Sequence, residues 1–266
     1  MWRLIYQLAI AFNLQVCCCT GPEIFTFSTA GIVYKKNFLN KRTSLRLNLM
    51  YNQLKAEDFK SGIGSQINRN LDFKNSIIEF GPVLEVNFFE YIPGQDNVEI
   101  GGYGTPYFFF GASLIRTNPK AKFRTDYDGD WLALQPLGTE GQETSFNPQK
   151  KYSRNQIVIP FGLGVKVNLS HHVCLAFEYG IRKTFTDYID DVSGLYPDLD
   201  LLELERPEAV PFSENHKEEW VNDVDLNDYD YSGLQRGNSA DKDWYMVSGI
   251  VLTYQLFSDS SCPKWK

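Results

Sequence analysis

The run Ile157-Val158-Ile159-Pro160-Phe161-Gly162-Leu163-Gly164-Val165-Lys166-Val167-Asn168-Leu169 decides how the rest of this chain is read. Its odd positions are all aliphatic or aromatic, whereas its even positions carry Val158, Pro160, two glycines, Lys166 and Asn168. A repeat of two residues marks a strand whose two faces meet different surroundings. At 13 residues the run is more than twice the ordinary strand length of about 5–6 residues. Tilted strands of about 9–11 residues or more are what a bilayer requires.

The same two-faced pattern appears at 25–35, 43–54, 76–89, 104–116, 172–187 and 243–257, and the quoted run lies within 156–170. The gaps between consecutive segments are about 7, 21, 14, 39, 1 and 55 residues, so every second connection is long. Barrels of the bacterial outer membrane have short turns at one end and long loops at the other. The pattern predicts an all-β fold, an eight-stranded antiparallel transmembrane β-barrel, whose eighth strand has to come from before residue 25. An open barrel would leave two unpaired edges in lipid, at several kcal/mol for each unsatisfied group.

Residues 1–20 admit three readings. Arg3 followed by Leu4 to Val16 resembles a degenerate signal peptide, weakened by Gln7, Asn13 and Gln15. A lipoprotein signal would end at Cys17. The same residues also alternate, with Trp2, Leu4, Tyr6, Leu8, Ile10, Phe12, Leu14 and Val16 on one face, as an atypical first strand would. Residues 21–257 are assigned to the barrel and 258–266 to a periplasmic tail.

Composition fits this reading and excludes others. Aromatic residues make up 15% of the 266, the mean hydropathy is −0.32, and no stretch approaches the ~18 apolar residues of a membrane helix. The net charge of −7 conceals a segment, Asp190 to Asp230, with 14 acidic residues against Arg206 and Lys217. Such a block repels nucleic acid, and no basic stripe with interleaved aromatics occurs elsewhere. Cys17, Cys18 and Cys19 are consecutive while Cys174 and Cys262 stand alone, so no disulfide framework or zinc spacing is present. Cys174 falls on a small-residue face and reads as a packing residue.

An eight-stranded barrel is just wide enough to be filled by its own side chains. The face expected to point inward carries Arg46, Glu79, Glu85, Lys166, Glu178 and Arg182, three acids and three bases. They are expected to pair with one another as an interior charge network, giving a plugged scaffold and not a pore. Catalysis finds little support: the histidines are His171 and His172 at a tight turn and His216 in the acidic segment. Asp126, Asp128 and Asp130 have the opening spacing of a calcium loop, but Trp131 and Leu137 stand where glycine and glutamate are required.

Four segments carry a family resemblance. They are Pro136-Leu137-Gly138-Thr139-Glu140-Gly141-Gln142, the run from Tyr179 through Arg182-Lys183-Thr184-Phe185-Thr186-Asp187-Tyr188-Ile189-Asp190-Asp191-Val192-Ser193, Gln235-Arg236-Gly237-Asn238-Ser239, and Ile159 to Lys166. With these the chain resembles the PorG-like outer-membrane β-barrel family of Bacteroidota over roughly residues 25–257. The resemblance implies a non-enzymatic barrel without a cofactor, located in the outer membrane with a periplasmic C-terminus. It implies a component of the type IX protein secretion and gliding machinery, whose partners are outer-membrane lipids and the periplasmic ring proteins of that machinery, with no nucleic acid. Thr186, Asp187, Tyr188, Asp190, Asp191 and Arg236 are expected to form the base of the long loop, with the carboxylates accepting backbone N–H groups or binding Arg236. Tyr188 and Tyr196 suit an interfacial aromatic girdle. Glu90, Asp96 and Glu99, in a long turn, are candidate periplasmic contacts. The alternative is a surface barrel whose acidic loop binds an extracellular ligand or cation.

Overall fold

The computed structural model describes residues 5–15, 29–38, 40–57, 72–94, 102–122, 130–213, 232–237 and 239–257. Its strands are β1 (Ile5–Gln15), β2 (Thr29–Asn37), β3 (Thr43–Glu57), β4 (Asp72–Asn87), β5 (Gly104–Gly111), β6 (Ser113–Arg116), β7 (Pro119–Lys122), β8 (Trp131–Ala133), β9 (Asn155–Asn168), β10 (Val173–Thr184) and β11 (Trp244–Phe257). Short helices α1 (Leu134–Leu137), α2 (Leu199–Glu205) and α3 (Val210–Ser213) lie in the long connections. No described helix is long and apolar enough to cross a membrane.

The sheet closes on itself. Antiparallel ladders join β1 to β2, β2 to β3 and β3 to β4, and β4 pairs with both β5 and β6. The latter two pair onward to β9, which leads through β10 and β11 back to β1. The result is an all-β antiparallel barrel, and Ile5–Gln15 fill the place between β2 and β11.

The sheet has eleven strands where the sequence reading expects eight. One reason lies in two prolines. The expected strand 104–116 breaks at Ala112, between a rung pairing Val83 with Gly111 and one pairing Phe80 with Leu114. Pro82 stands beside the gap on one neighbour, and Pro160 stands beside it on the other. Neither has an N–H to donate, so the ladder fails on both sides at the same level. The other reason is that β7 and β8 form a hairpin beyond β6, attached to the loop end of β4.

Alternation sets the two surfaces. Along β9, Leu163 is 57% exposed whereas Val158 is fully buried, and along β10 Phe177 is 52% exposed beside buried Ala176 and Arg182. Ile32, Leu47, Leu49, Ile78, Phe80, Phe110, Leu114, Ile250 and Leu252 continue this exposed apolar band around the circuit. Inside, buried polar and charged groups from β2, β3, β4, β9 and β10 share the bore with Tyr107 and Phe109. Greasy outside and polar inside is the reverse of a soluble barrel and is the arrangement a bilayer imposes.

Inward glycines make room for the aromatics. A Cβ at Gly164 would lie 2.5 Å from Cζ of Tyr107, and one at Gly162 or Gly180 would lie 2.7 or 2.6 Å from Cζ of Phe109. The small even-numbered residues of the opening run are therefore the seats of these two rings.

Candidate functional site

Two buried clusters occupy the bore, and a third seals its loop end. The middle cluster centres on Glu85. Lys35 Nζ donates to it at 2.6 Å, Lys166 Nζ pairs with its Oε1, and Arg46 Nη1 lies 3.7 Å from Oε2. Arg46 also forms a two-pronged pair with Glu178, whose Oε1 accepts the Tyr107 hydroxyl at 2.6 Å. Around these sit ring faces: Arg46 stacks 4.6 Å from the centroid of Phe109, and Lys166 lies 4.7 Å from that of Tyr107. Three cations thus surround two carboxylates.

The second cluster lies nearer the loops. Arg182 Nε lies 3.4 Å from Glu79 Oε2, and the Tyr245 hydroxyl donates to the same oxygen at 3.3 Å. The six charged residues read from the sequence are accordingly all buried or nearly so, Arg46, Glu85, Lys166 and Glu178 in one group and Glu79 with Arg182 in another. Lys35 is the member that the sequence reading omits. Its signal was present in the alternation of Gly31, Val33 and Lys35, but the expected strand stopped at 35, leaving Lys35 as a terminus where the structure continues to Asn37.

The loop seal joins the segments that carry the family motifs. Glu140 is buried, and its Oε1 accepts the backbone N–H groups of Ser193 at 2.8 Å and Gly194 at 2.9 Å. Its Oε2 accepts the Tyr188 hydroxyl at 3.1 Å. Arg236 Nη1 reaches Glu140 Oε1 at 3.2 Å and the Asp191 carbonyl at 2.9 Å, while Nη2 donates to the Phe212 carbonyl at 3.1 Å. Gly237 follows because a Cβ there would be 2.8 Å from the Ser193 backbone.

Asp191 has a left-handed backbone, with φ of 70°. Its carboxylate accepts the Thr139 hydroxyl at 2.6 Å and the Tyr152 hydroxyl. Burial pushes this carboxyl up to about 7 against the pull of Arg236, and it drives the Tyr152 hydroxyl up as well. Asp243, just ahead of β11, accepts the Ile189 N–H at 2.9 Å; burial, then the charge of Asp190, pushes it up to about 8. Asp187 also rises through burial. Thr186 accepts the Asp243 N–H at its carbonyl, at 2.9 Å, so the two arms of the long loop meet at its root.

Of the two roles expected of the loop-base carboxylates, Asp190 takes the first, its Oδ1 accepting the Val192 N–H at 3.1 Å; the binding of Arg236 by Asp191 and the outward tyrosine girdle are both corrected. Arg236 ion-pairs with the Glu140 carboxylate, and it meets Asp191 through the backbone carbonyl and not the side chain. Tyr188 and Tyr196 form no outward girdle: Tyr188 stacks on Tyr152 at 4.4 Å and 10°, and Tyr196 is buried in the loop. The reason in both cases is that the long connections fold into a packed layer, held by α2 and by Arg206, which donates to the carbonyls of Leu137 and Glu143. Sequence spacing does not report contacts between separate loops.

At the opposite end, residues 88–94 fold across the mouth. Tyr91 is buried and its hydroxyl donates to Asn168, which in turn donates to the Ile92 carbonyl at 3.1 Å. Cys174 packs here, with its thiol 3.1 Å from Asn168 Oδ1. Glu90 is exposed, 3.4 Å from Lys41; Asp96 and Glu99 lie outside the described residues. His216 and two carboxylates of the calcium-like spacing, Asp126 and Asp128, lie outside them too. Among the described residues no cluster of three or more metal-binding side chains occurs.

No curated protein sequence matches the chain. Among solved structures it is similar to Neisserial surface protein A at 11% identity and a TM-score of 0.34, covering 95% of this chain and 96% of that one. The attachment invasion locus protein Ail of Yersinia pestis, in complex with the heparin analogue sucrose octasulfate, is similar at 9% identity and 0.37, covering 96% and 97%. OprG of Pseudomonas aeruginosa is similar at 10% identity and 0.31, covering 95% of each chain. Likenesses this weak carry no functional inference. A sequence family does match, over residues 22–134 and 142–206, and the second stretch includes the Glu140 partners Tyr188, Ser193 and Gly194. The chain belongs to that family, described as Domain of unknown function (DUF6089).

Proposed function

We propose that this chain is a non-enzymatic outer-membrane barrel of a Gram-negative bacterium of the Bacteroidota, with its long loops outward and its short turns and C-terminus in the periplasm. In this reading it is a scaffold of the type IX secretion and gliding machinery and contacts the periplasmic ring of that machinery. The observation that carries the membrane reading is the closed circuit with an apolar outer band and a bore lined by buried ion pairs. Support for the secretion reading comes from the segments with the PorG-like resemblance. Three of them converge on the buried Glu140–Arg236 pair, so the motif residues form one structure at the loop end.

A bore filled by its own ion pairs suits a scaffold better than a channel. The test is deletion of residues 95–101, which keeps Tyr91, Ile92 and Gly94 and their contacts with Asn168. The variant barrel should still shift its gel mobility on heating, while periplasmic ring proteins no longer co-purify with it. Undiminished co-purification would place the contact elsewhere than residues 95–101, whereas ring proteins absent from the wild-type preparation, together with normal secretion in a strain lacking the barrel, would remove the scaffold reading in favour of loop-mediated ligand binding.

A further inference from the structure

The middle cluster of the bore encloses a cavity of about 20 Å³, lined by Lys35, Arg46, Lys166, Glu85 and Glu178 among others. Each of its cations is paired with a carboxylate, so the imbalance is one of number and not of missing contacts. Three positive groups meet two negative ones. Among the described residues no third carboxylate lines the cavity, and β1 carries no Asp, Glu, Lys or Arg that could supply one. Glu79 is taken by Arg182 in the cluster nearer the loops, and Glu90 is exposed beside Lys41. One positive charge is therefore left over inside a wall whose outer face is apolar, where an uncompensated charge is costly.

Donors are in excess as well. Lys35 Nζ lies 2.6 and 2.8 Å from the two oxygens of Glu85, and Lys166 donates to the same carboxylate. Two ammoniums bring more N–H groups than the lone pairs of one shared carboxylate can accept. Arg46 also lines the cavity, and its buried Nε has no hydrogen-bond partner. The size of the cavity then selects among occupants, because one water needs about 10–15 Å³. A water fits but brings no charge, and a carboxylate or phosphate brings charge but has too many atoms. A single halide ion meets both conditions. Such an ion would be held and not conducted: the Tyr91 ring lies 4.8 Å from Lys166 at the mouth, and Tyr245 and Ile189 fill the bore toward the loops.

We infer that the bore binds one halide ion, chloride under ordinary conditions, against Lys35, Lys166 and Arg46, as the counter-charge to the third cation. Glu85 and Glu178 hold the cations in place around it, and the ion completes the set. The site rests on the closed barrel with its buried cluster and is independent of any role in secretion.

The experiment compares urea unfolding of the full chain from vesicles in sodium chloride and in sodium gluconate of equal ionic strength, the gluconate anion being too large for the cavity. Chloride at about ten times its dissociation constant should raise the folded-to-unfolded ratio roughly tenfold. Lys35→Met, in which two cations meet two carboxylates, should lose that response. Crystals of the full chain grown in sodium bromide should show an anomalous bromide peak beside Lys35 and Lys166, and this peak decides the matter even where Lys35→Met does not fold. Equal wild-type stability in the two salts, a response that Lys35→Met retains, or a bore without bromide overturns the site. The first and last are the results expected if Lys166 is neutral or if the cavity holds only water. Failure of the wild type to fold in vesicles would instead strike the membrane reading itself, and heat-dependent gel mobility measured on every sample separates the two outcomes.

Discussion

Asn75, on the inner wall of β4, donates through Nδ2 to the backbone carbonyl of Ile189, in the long loop after β10, at 2.6 Å. The loop therefore reaches down into the barrel. The Ile189 side chain is buried among Met50, Leu54, Ile77, Ile115, Val158, Tyr245 and Val247, contributed by five strands of the wall. Truncating a buried isoleucine to alanine costs about 2–5 kcal/mol. In Ile189→Ala the cost should fall on the loop, since the ladders do not depend on this residue. Limited proteolysis of refolded protein should show faster cleavage within 185–243 and an unchanged heat-dependent mobility shift. Loss of the barrel together with the loop would mean that Ile189 is part of the folding core of the wall.

Glu85 offers a sharper test, because it is the shared counter-charge of Lys35, Arg46 and Lys166. Removing one partner of a buried pair leaves an uncompensated charge, at about 3–5 kcal/mol. Glu85→Gln strands three cations with only Glu178 to answer them. Lys35→Met, in contrast, leaves two cations facing two carboxylates. Urea unfolding from vesicles should thus place Lys35→Met near wild type and Glu85→Gln well below it. The reverse order would contradict the charge count inside the bore.

A third test concerns steric fit. The nearest atoms to a Cβ at Gly164 all belong to the Tyr107 side chain, the closest at 2.5 Å. Gly164→Val should destabilise strongly, since β9 and β5 are directly paired at Tyr107 and Gly164 and cannot separate. In a Tyr107→Ala background the valine should cost much less, with a coupling energy of about 1–3 kcal/mol in a double-mutant cycle. Additive effects would show that the ring is free to swing aside.

The strand periodicity was legible because a barrel wall is made of local pattern: each residue faces in or out according to its parity, and the parity of Ile157 to Leu169 survives unchanged in the structure. The inward charges were legible for the same reason. What the sequence concealed was non-local. Nothing in the spacing shows that Glu140 and Arg236, 96 residues apart, share one hydrogen-bond network, or that Ile189 is a plug. The break at Ala112 could have been found from Pro82 and Pro160, but only with the register of both neighbouring strands in hand. Lys35 was lost to an end-of-strand error, the least secure part of any periodicity argument.

The loop seal also carries a pH dependence whose direction follows from its buried acids. Asp191 and Asp243, with ordinary carboxyl values of 3.8, are pushed up to about 7 and about 8, chiefly by burial, with Asp190 and Asp187 opposing ionisation of Asp243 and Lys242 favouring it. A carboxyl raised in the folded state binds its proton more tightly there than in the unfolded chain. Its contribution is therefore full below about pH 4 and declines as pH rises through 7 to 8. The expected outcome is a loop that resists protease at pH 5–6 and becomes progressively cleavable toward pH 9, while the barrel keeps its mobility shift throughout. Asp243→Asn keeps an oxygen to accept the Ile189 N–H but cannot ionise, so it should hold the loop closed at high pH and leave only the shallower dependence due to Asp191. An unchanged pH profile in Asp243→Asn would show that ionisation of Asp243 does not drive the opening of the loop.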